Sequence, residues 1–265
     1  TVLGVNGVVL FLFPNELELF MEAELSDAIL RKNTVRDVVL GNRILANEGV
    51  LDGFGHVSIR SPANPDRFFL SRSRSPEIIT DSDIMEFDLD GNQISEDARK
   101  PYAERFIHAA IYAARPDVNA VSHHHAPAVI PFSLSDVQLR PAFHMAAVIG
   151  GSVPIWDSQH EFGDTNMLVD SLDMGKSLAR TLGNESTALL RGHGAICAGA
   201  DVRALCAISV YMRDNAELIL RTLPIGLSQY LTEGEIEKTR ATLLADMPLD
   251  RAWDYWVARA GFSGM

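Results

Sequence analysis

The stretch "NAVSHHHAPAV", residues 119–129, sets His123, His124 and His125 in a row where the residues around them ask for burial. It follows "ARPDV", whose Pro-Asp pair is turn-like, and it reads as a short strand between polar ends. Side chains alternate along a strand, so His123 and His125 share one face and His124 takes the other. Two imidazoles two positions apart on one face can hold a single metal ion, since neutral imidazole is the commonest transition-metal ligand. The alternative is a pair of ordinary, partly buried histidines, each satisfied by a backbone carbonyl.

The chain that must enclose this strand has 265 residues, enough for one large domain with a substantial core. A net charge of -12 argues against nonspecific nucleic-acid binding and against anionic membrane surfaces. A soluble, cytoplasmic protein is therefore expected, with no nucleic acid and no membrane as partner. Two cysteines, Cys197 and Cys206, both in apolar surroundings, fit core packing better than a secreted disulfide framework. The opening "TVLGVNGVVLFLFPNELELF" is too short to span a bilayer and lacks the basic region and cleavage site of a signal peptide. Residues 1–20 are read as an extension peripheral to the chemistry, and 21–265 as the domain.

Periodicity gives a coarse architecture. "NTVRDVVLGNRILANEGVL" has a polar start at Asn33 or Thr34 and apolar residues at helical spacing. "GFGHVSIRS" and "RFFLSRS" read as a strand hairpin across "PANPD", and "SDIMEFDLDGNQI" as a further pair of short strands about Asp-Gly-Asn. A helix from about Tyr102 is stopped by Pro116. Later helices end at Gly183 and begin at Asp201, and "TALLRGHGAICAG" reads as a buried strand interrupted by "RGHG". The terminal "RAWDYWVARAGF" is an aromatic helix that either packs on its own chain or covers a neighbour. The expected fold is α/β of the α+β kind, a single domain with a central, mainly antiparallel sheet flanked by helices.

His193, between two glycines in an apolar strand, is the second pointer, because flanking glycines let the backbone bend and approach a ligand. An incidental histidine in a turn is the plain alternative. Glu104 in "KPYAERFIH" falls in the first turn of its helix, where a carboxylate is favoured in any case. Together, "AERFIHAAIYAARPDVNAVSHHHAPAV", "EFGDTNMLV" and "ALLRGHGAICAG" resemble the class II aldolase/adducin family from about Asn33 to about Leu223. The resemblance implies that His123, His125 and His193 bind a divalent metal, that Glu104 is the acid/base group facing it, and that His124 is structural. It also implies a homotetramer with active sites between subunits.

Three imidazoles that leave coordination positions open suit a Lewis-acid site for enolate chemistry, which serves aldol cleavage, epimerisation and decarboxylation alike. The pocket must choose among them. Where the family's sugar-phosphate aldolases hold phosphate with Gly-Asn, a Thr/Ser-rich turn and a Ser-Ser pair, this chain has Gly55-His56, "SRSRS" with Ser71, Arg72 and Arg74, and Tyr102-Ala103. The aldolases' "PAIHY"-like tyrosine is replaced in "PAFHM" by Met145, with His144 beside it as a substitute proton donor. Arginine forks suit a carboxylate, and Tyr102 or Phe54 suits a flat ring. The chain thus resembles the family's hydroxyaromatic-acid decarboxylases, which implies manganese as the metal, with zinc or iron the alternatives. Competing readings are a sugar-phosphate aldolase or epimerase, a non-catalytic adducin-like module, and an iron oxygenase.

Overall fold

Burial along the central strands explains why the sheet is covered on both faces. The computed structural model describes residues 2–5, 8–11, 14–94, 97–226 and 229–262, with side chains from residue 25 onward. In chain order, its regular elements begin with strands β1 (Val2–Val5) and β2 (Val8–Phe11) and helix α1 (Pro14–Asn47). Strands β3 (His56–Arg60), β4 (Arg67–Ser71) and β5 (Ile84–Asp88), helix α2 (Arg105–Ala114) and strand β6 (Ala120–His124) follow. Then come β7 (Ile155–Trp156), α3 (Ser158–Phe162), α4 (Leu172–Leu182), β8 (Thr187–Leu190) and β9 (Gly194–Gly199). Helices α5 (Val202–Thr222), α6 (Glu233–Leu243) and α7 (Asp246–Arg259) complete the chain.

Among the described residues, β1 and β2 pair only with each other, and seven strands form the main sheet in the order β5-β4-β3-β6-β9-β8-β7. Every pairing in it is antiparallel except the short β7–β8 contact. Alternation along β6 divides the core. Ala120 packs with Ile44, Val57 and Cys197 under α1, α5 and α7. Val121 packs with Ile196, Phe68 and Leu70 under α2 and α4. A residue in phase with Val121 therefore lies on the α2 face, and His123 is the next such residue.

Several boundaries differ from the sequence expectations for physical reasons. Helix α1 starts at Pro14 and runs across the expected division at residue 20 and past Asn33 and Thr34. Thr34 is no cap, because its hydroxyl donates to the Leu30 carbonyl inside the helix at 2.8 Å. The expected second strand after Asp-Gly-Asn shrinks to a single bridge between Phe87 and Gln93. Glu104 stands at the N-cap position of α2, just before its first turn, and makes no capping bond there, its carboxylate accepting from the Val169 amide instead. "TALLRGHGAICAG" is a hairpin of β8 and β9 around Arg191-Gly192-His193, and not one interrupted strand. Asp201 caps α5 as expected, accepting from the Ala204 amide at 2.8 Å. Trp256 is buried against Tyr211 of α5, so α7 packs on its own chain while Tyr255 stays exposed. No helix among the described residues is long and apolar enough to cross a membrane.

Candidate metal centre

The end of β6, the start of α2 and the β8–β9 turn meet at one point. The turn's glycines explain how His193 gets there. Gly192 takes a left-handed φ of +65°, and a Cβ on Gly194 would lie 2.2 Å from the His124 carbonyl oxygen, so only glycine lets β9 approach β6 this closely. As a result, one ligand atom each from Glu104, His123, His125 and His193 falls within 4.8 Å of every other.

The nitrogens converge through their Nε2 atoms. His125 Nε2 is 3.0 Å from His123 Nε2, Glu104 Oε2 is 3.5 Å from His123 Nε2, and Glu104 Oε1 is 3.9 Å from His193 Nε2. Two imidazole nitrogens each about 2.0–2.1 Å from one ion would be separated by roughly 3 Å, so the spacing fits a shared cation. Two of the three far ring nitrogens are held from behind, while His193 Nδ1 is buried without a hydrogen-bond partner among the described residues. His123 Nδ1 is 3.1 Å from the Ala195 carbonyl, and His125 Nδ1 is 3.1 and 3.2 Å from the two oxygens of Asp52. Such outer contacts fix the tautomer that leaves Nε2 free to ligate. The donor set and its orientation therefore fit a divalent metal held by His123, His125 and His193 beside Glu104.

Electrostatics agree with the ligand state. Burial pushes His123 well below the ordinary imidazole range and His193 down to about 4, so both are neutral near pH 7. Glu104 moves the other way. Its burial raises its pKa, against the opposing Val169 amide, which donates to Oε1 at 3.1 Å, and His125. Asp52, by contrast, is lowered: burial works to raise it, but the amides of Phe54 and Gly55 and the His125 ring outweigh that.

The remaining sequence-derived residues sort into a near set and a far one. His56 is the cross-strand partner of His123, and its ring lies 5.4 Å from the His123 ring and 4.4 Å from Tyr102. Tyr102 is buried and donates its hydroxyl hydrogen to the Arg74 carbonyl. Ser71 is buried at the end of β4. Since Ser58 pairs with Leu70, the same register puts Arg72, one residue past β4, opposite His56. A row of Arg72, His56 and His123 thus crosses three strands on one sheet face, at about 4.8 Å per strand.

Arg72 and Arg74 are not free forks. Arg72 Nε reaches Asp83 Oδ1 at 2.7 Å, and Arg74 Nη1 reaches Asp83 Oδ2 at 2.9 Å. Burial of Asp83 is outweighed by these guanidiniums and by Thr80, which together hold its carboxyl below the usual range. Arg99 also lies 3.6 Å from Asp83 and pairs with Asp97, so three guanidiniums face two carboxylates and leave net positive charge there. His144 is not part of the cluster: it is exposed at the start of a 3-10 turn, His144–Ile149, with its Nδ1 3.4 Å from the Met145 sulfur. His124 lies across the sheet from the cluster, 3.7 Å from Cys197 Sγ.

Asp52 and Asp83 were not found from the sequence. Asp52 touches His125 across 73 positions, and its one local sign was the turn composition of "LDGFG". Asp83 was hidden in "TDSDI", where the Thr80 hydroxyl and Asp83 form a capping box over a short 3-10 turn.

Residues 36–220 match the family described as class II aldolase and adducin N-terminal domain. The chain is 32% identical over 255 residues to decarboxylase tropJ of Talaromyces stipitatus, covering 87% of this chain and 95% of that protein. It is 33% identical to the 3,4-dihydroxyphthalate decarboxylase of Arthrobacter keyseri, over 65% of this chain and 73% of the relative. In structure it superposes on the L-fuculose 1-phosphate aldolase of Glaciozyma antarctica with a TM-score of 0.71 at 22% identity, covering 90% of this chain and 92% of that one.

Proposed function

Since this chain belongs to the class II aldolase and adducin family, we propose that it is a metal-dependent carbon–carbon lyase that decarboxylates a hydroxylated aromatic or pyridine dicarboxylate. His123, His125 and His193 hold the divalent ion, manganese in the first instance, with zinc and ferrous iron to be distinguished by metal analysis. When bound, that ion supplies a Lewis acid for negative charge developing on a substrate oxygen.

The chain's own residues do the rest. Glu104, raised by burial, is the carboxylic acid that gives its proton to the ring carbon bearing the departing carboxylate. The bond to that carboxylate breaks, carbon dioxide leaves, the bonding electrons stay with the ring, and Glu104 recovers a proton from solvent. Arg72 and Arg74, braced by Asp83, take the second carboxylate, while Ser71 and His56 contribute polar contacts and Tyr102 the flat wall. His144 takes no part, because it is exposed and lies outside the cluster of Glu104, His123, His125 and His193 among the described residues.

The observation that carries this reading is the row from His123 through His56 to Arg72, which sets positive charge two strands away from the cluster, a span suited to the two ends of an aromatic dicarboxylate. The decarboxylase relatives support the same choice. An aldolase acting on a sugar phosphate is the rival, because the same cation stabilises an enolate in either case.

The test is carbon dioxide release from 3,4-dihydroxyphthalate and 3-hydroxy-2-methylpyridine-4,5-dicarboxylate, beside cleavage of L-fuculose 1-phosphate, with each metal added in turn. Turnover of a dicarboxylate is expected; cleavage of the phosphate alone would overturn the proposal.

A further inference from the structure

Behind the metal cluster, four polar side chains form an unbroken line through the core. Tyr112 Oη is 2.8 Å from Ser58 Oγ, Ser58 Oγ is 2.6 Å from His108 Nδ1, and His108 Nε2 is 2.7 Å from His56 Nδ1. All four residues are at most 1% exposed. At the end of the line, His56 Nε2 is buried and has no hydrogen-bond partner among the described residues.

The direction of the line follows from counting protons and lone pairs. Among the described contacts, the hydroxyl hydrogen of Tyr112 has one acceptor, Ser58 Oγ. Ser58 must then spend its own hydrogen on His108 Nδ1. His56 and His108 are both fully buried, and among the described contacts neither touches a carboxylate, so each ring is neutral and carries a single N–H. His108, accepting at Nδ1, therefore donates from Nε2, and His56, accepting at Nδ1, must carry its hydrogen on Nε2. The two nitrogens of an imidazole point away from each other, so this N–H is directed away from His108. The other rings beside it are those of Tyr102 and His123.

We propose that Tyr112, Ser58 and His108 form a hydrogen-bond chain of fixed polarity whose task is to hold His56 as an Nε2–H donor for an anionic oxygen of the substrate, a carboxylate, next to the metal centre. A buried N–H without a partner is costly, and an arriving carboxylate relieves that cost. An anionic acceptor makes the bond roughly twice as strong as a neutral one. His56 is then a substrate-binding residue, and His108, Ser58 and Tyr112 position it by setting its tautomer. The identity of the acceptor rests on the decarboxylase reading; the tautomer does not.

Two measurements separate these dependences. The first is nitrogen NMR of the zinc-loaded, histidine-labelled protein, which reads the tautomer without any turnover. A hydrogen on Nε2 of His56, lost or mixed with the other tautomer in Ser58→Ala, is expected; a hydrogen on Nδ1 in the wild type overturns the proposal whatever the enzyme's reaction. The second is calorimetric binding of phthalate to the same holoprotein. His56→Leu should weaken phthalate at least tenfold with metal content unchanged, and His56→Gln, which keeps a donor near the Nε2 position, should recover most of that loss. Unchanged phthalate affinity in His56→Leu, or no recovery in His56→Gln, also overturns it. If His56→Leu fails to fold, the wild-type tautomer and its response to Ser58→Ala decide the matter. A correct tautomer with phthalate bound as expected, but no carbon dioxide released from any dicarboxylate, would sink the proposed reaction and leave this inference standing.

Discussion

At the residue scale, Glu104 and Asp52 touch the histidine cluster with opposite shifts: one carboxyl is raised by burial, the other lowered by the donors around it. Replacing Glu104 by Gln keeps the shape and removes the transferable proton, so kcat should fall by about 100-fold or more, while the three histidines still retain metal. Steady-state kinetics with metal analysis on the same sample checks this. Asp52→Asn removes the carboxylate behind His125 and should weaken metal binding by about 10–100-fold, with kcat largely restored at saturating metal. A metal titration of activity separates the two effects. The three histidines that the fold brings together were legible in the sequence as a group because strand alternation and flanking glycines are local signals. Asp52 was not, because its contact is made by folding and leaves no spacing to read.

Elements explain why the ligands meet. Helix α2 packs on the sheet face that carries His123, so its cap residue, Glu104, faces that strand, and the β8–β9 turn closes from the other side. Gly194→Ala would drive a methyl group into the His124 carbonyl oxygen, at 2.2 Å, forcing β6 and β9 apart. Overpacking of this kind costs about 1–3 kcal/mol, and because His193 precedes the clash, the variant should also lose metal affinity. Chemical denaturation and equilibrium dialysis test the two halves. Gly175 of α4 is a second such contact, with its would-be Cβ 2.3 Å from the Phe106 carbonyl oxygen of α2. Strand and helix types were readable from periodicity, whereas ends were less so: the in-helix bond of Thr34 imitates a cap in sequence, and the β8–β9 hairpin hides in one apolar run.

The whole molecule carries an unusual load of buried neutral imidazole. His108 and His124 are pushed down to about 3 and His193 to about 4, each chiefly by burial, and His56 and His123 fall well below the ordinary value for the same reason. The unfolded chain binds protons on His108, His124 and His193 below about pH 6.5, while the folded chain resists until near pH 3–4, and His56 and His123 act in the same direction. Their contribution is therefore complete above pH 6.5 and is lost as pH falls, by up to about 1.4 kcal/mol per pH unit for each histidine. Asp83, whose folded pKa is lowered, adds to the acid side of the same trend. The urea midpoint of metal-free protein should fall steeply between pH 6.5 and 4.5; a flat profile would mean that these imidazoles are not buried. Oligomeric state belongs to the same scale: light scattering checks the homotetramer that the family resemblance implies, and Met145, Val148, Tyr211, Leu249 and Tyr255 line an apolar cavity of about 280 Å³ among α5, α7 and the His144–Ile149 turn.

The measurement closest to the central claim is the metal content of the purified chain, compared between wild type and His193→Ala under identical dialysis. One divalent ion per chain in the wild type, lost in the variant while the fold is retained, is the expected result. A wild type that holds no ion when dialysed against micromolar manganese, zinc or ferrous iron, or a variant that holds it equally well, would contradict the claim that imidazoles from β6 and from the β8–β9 turn share one cation.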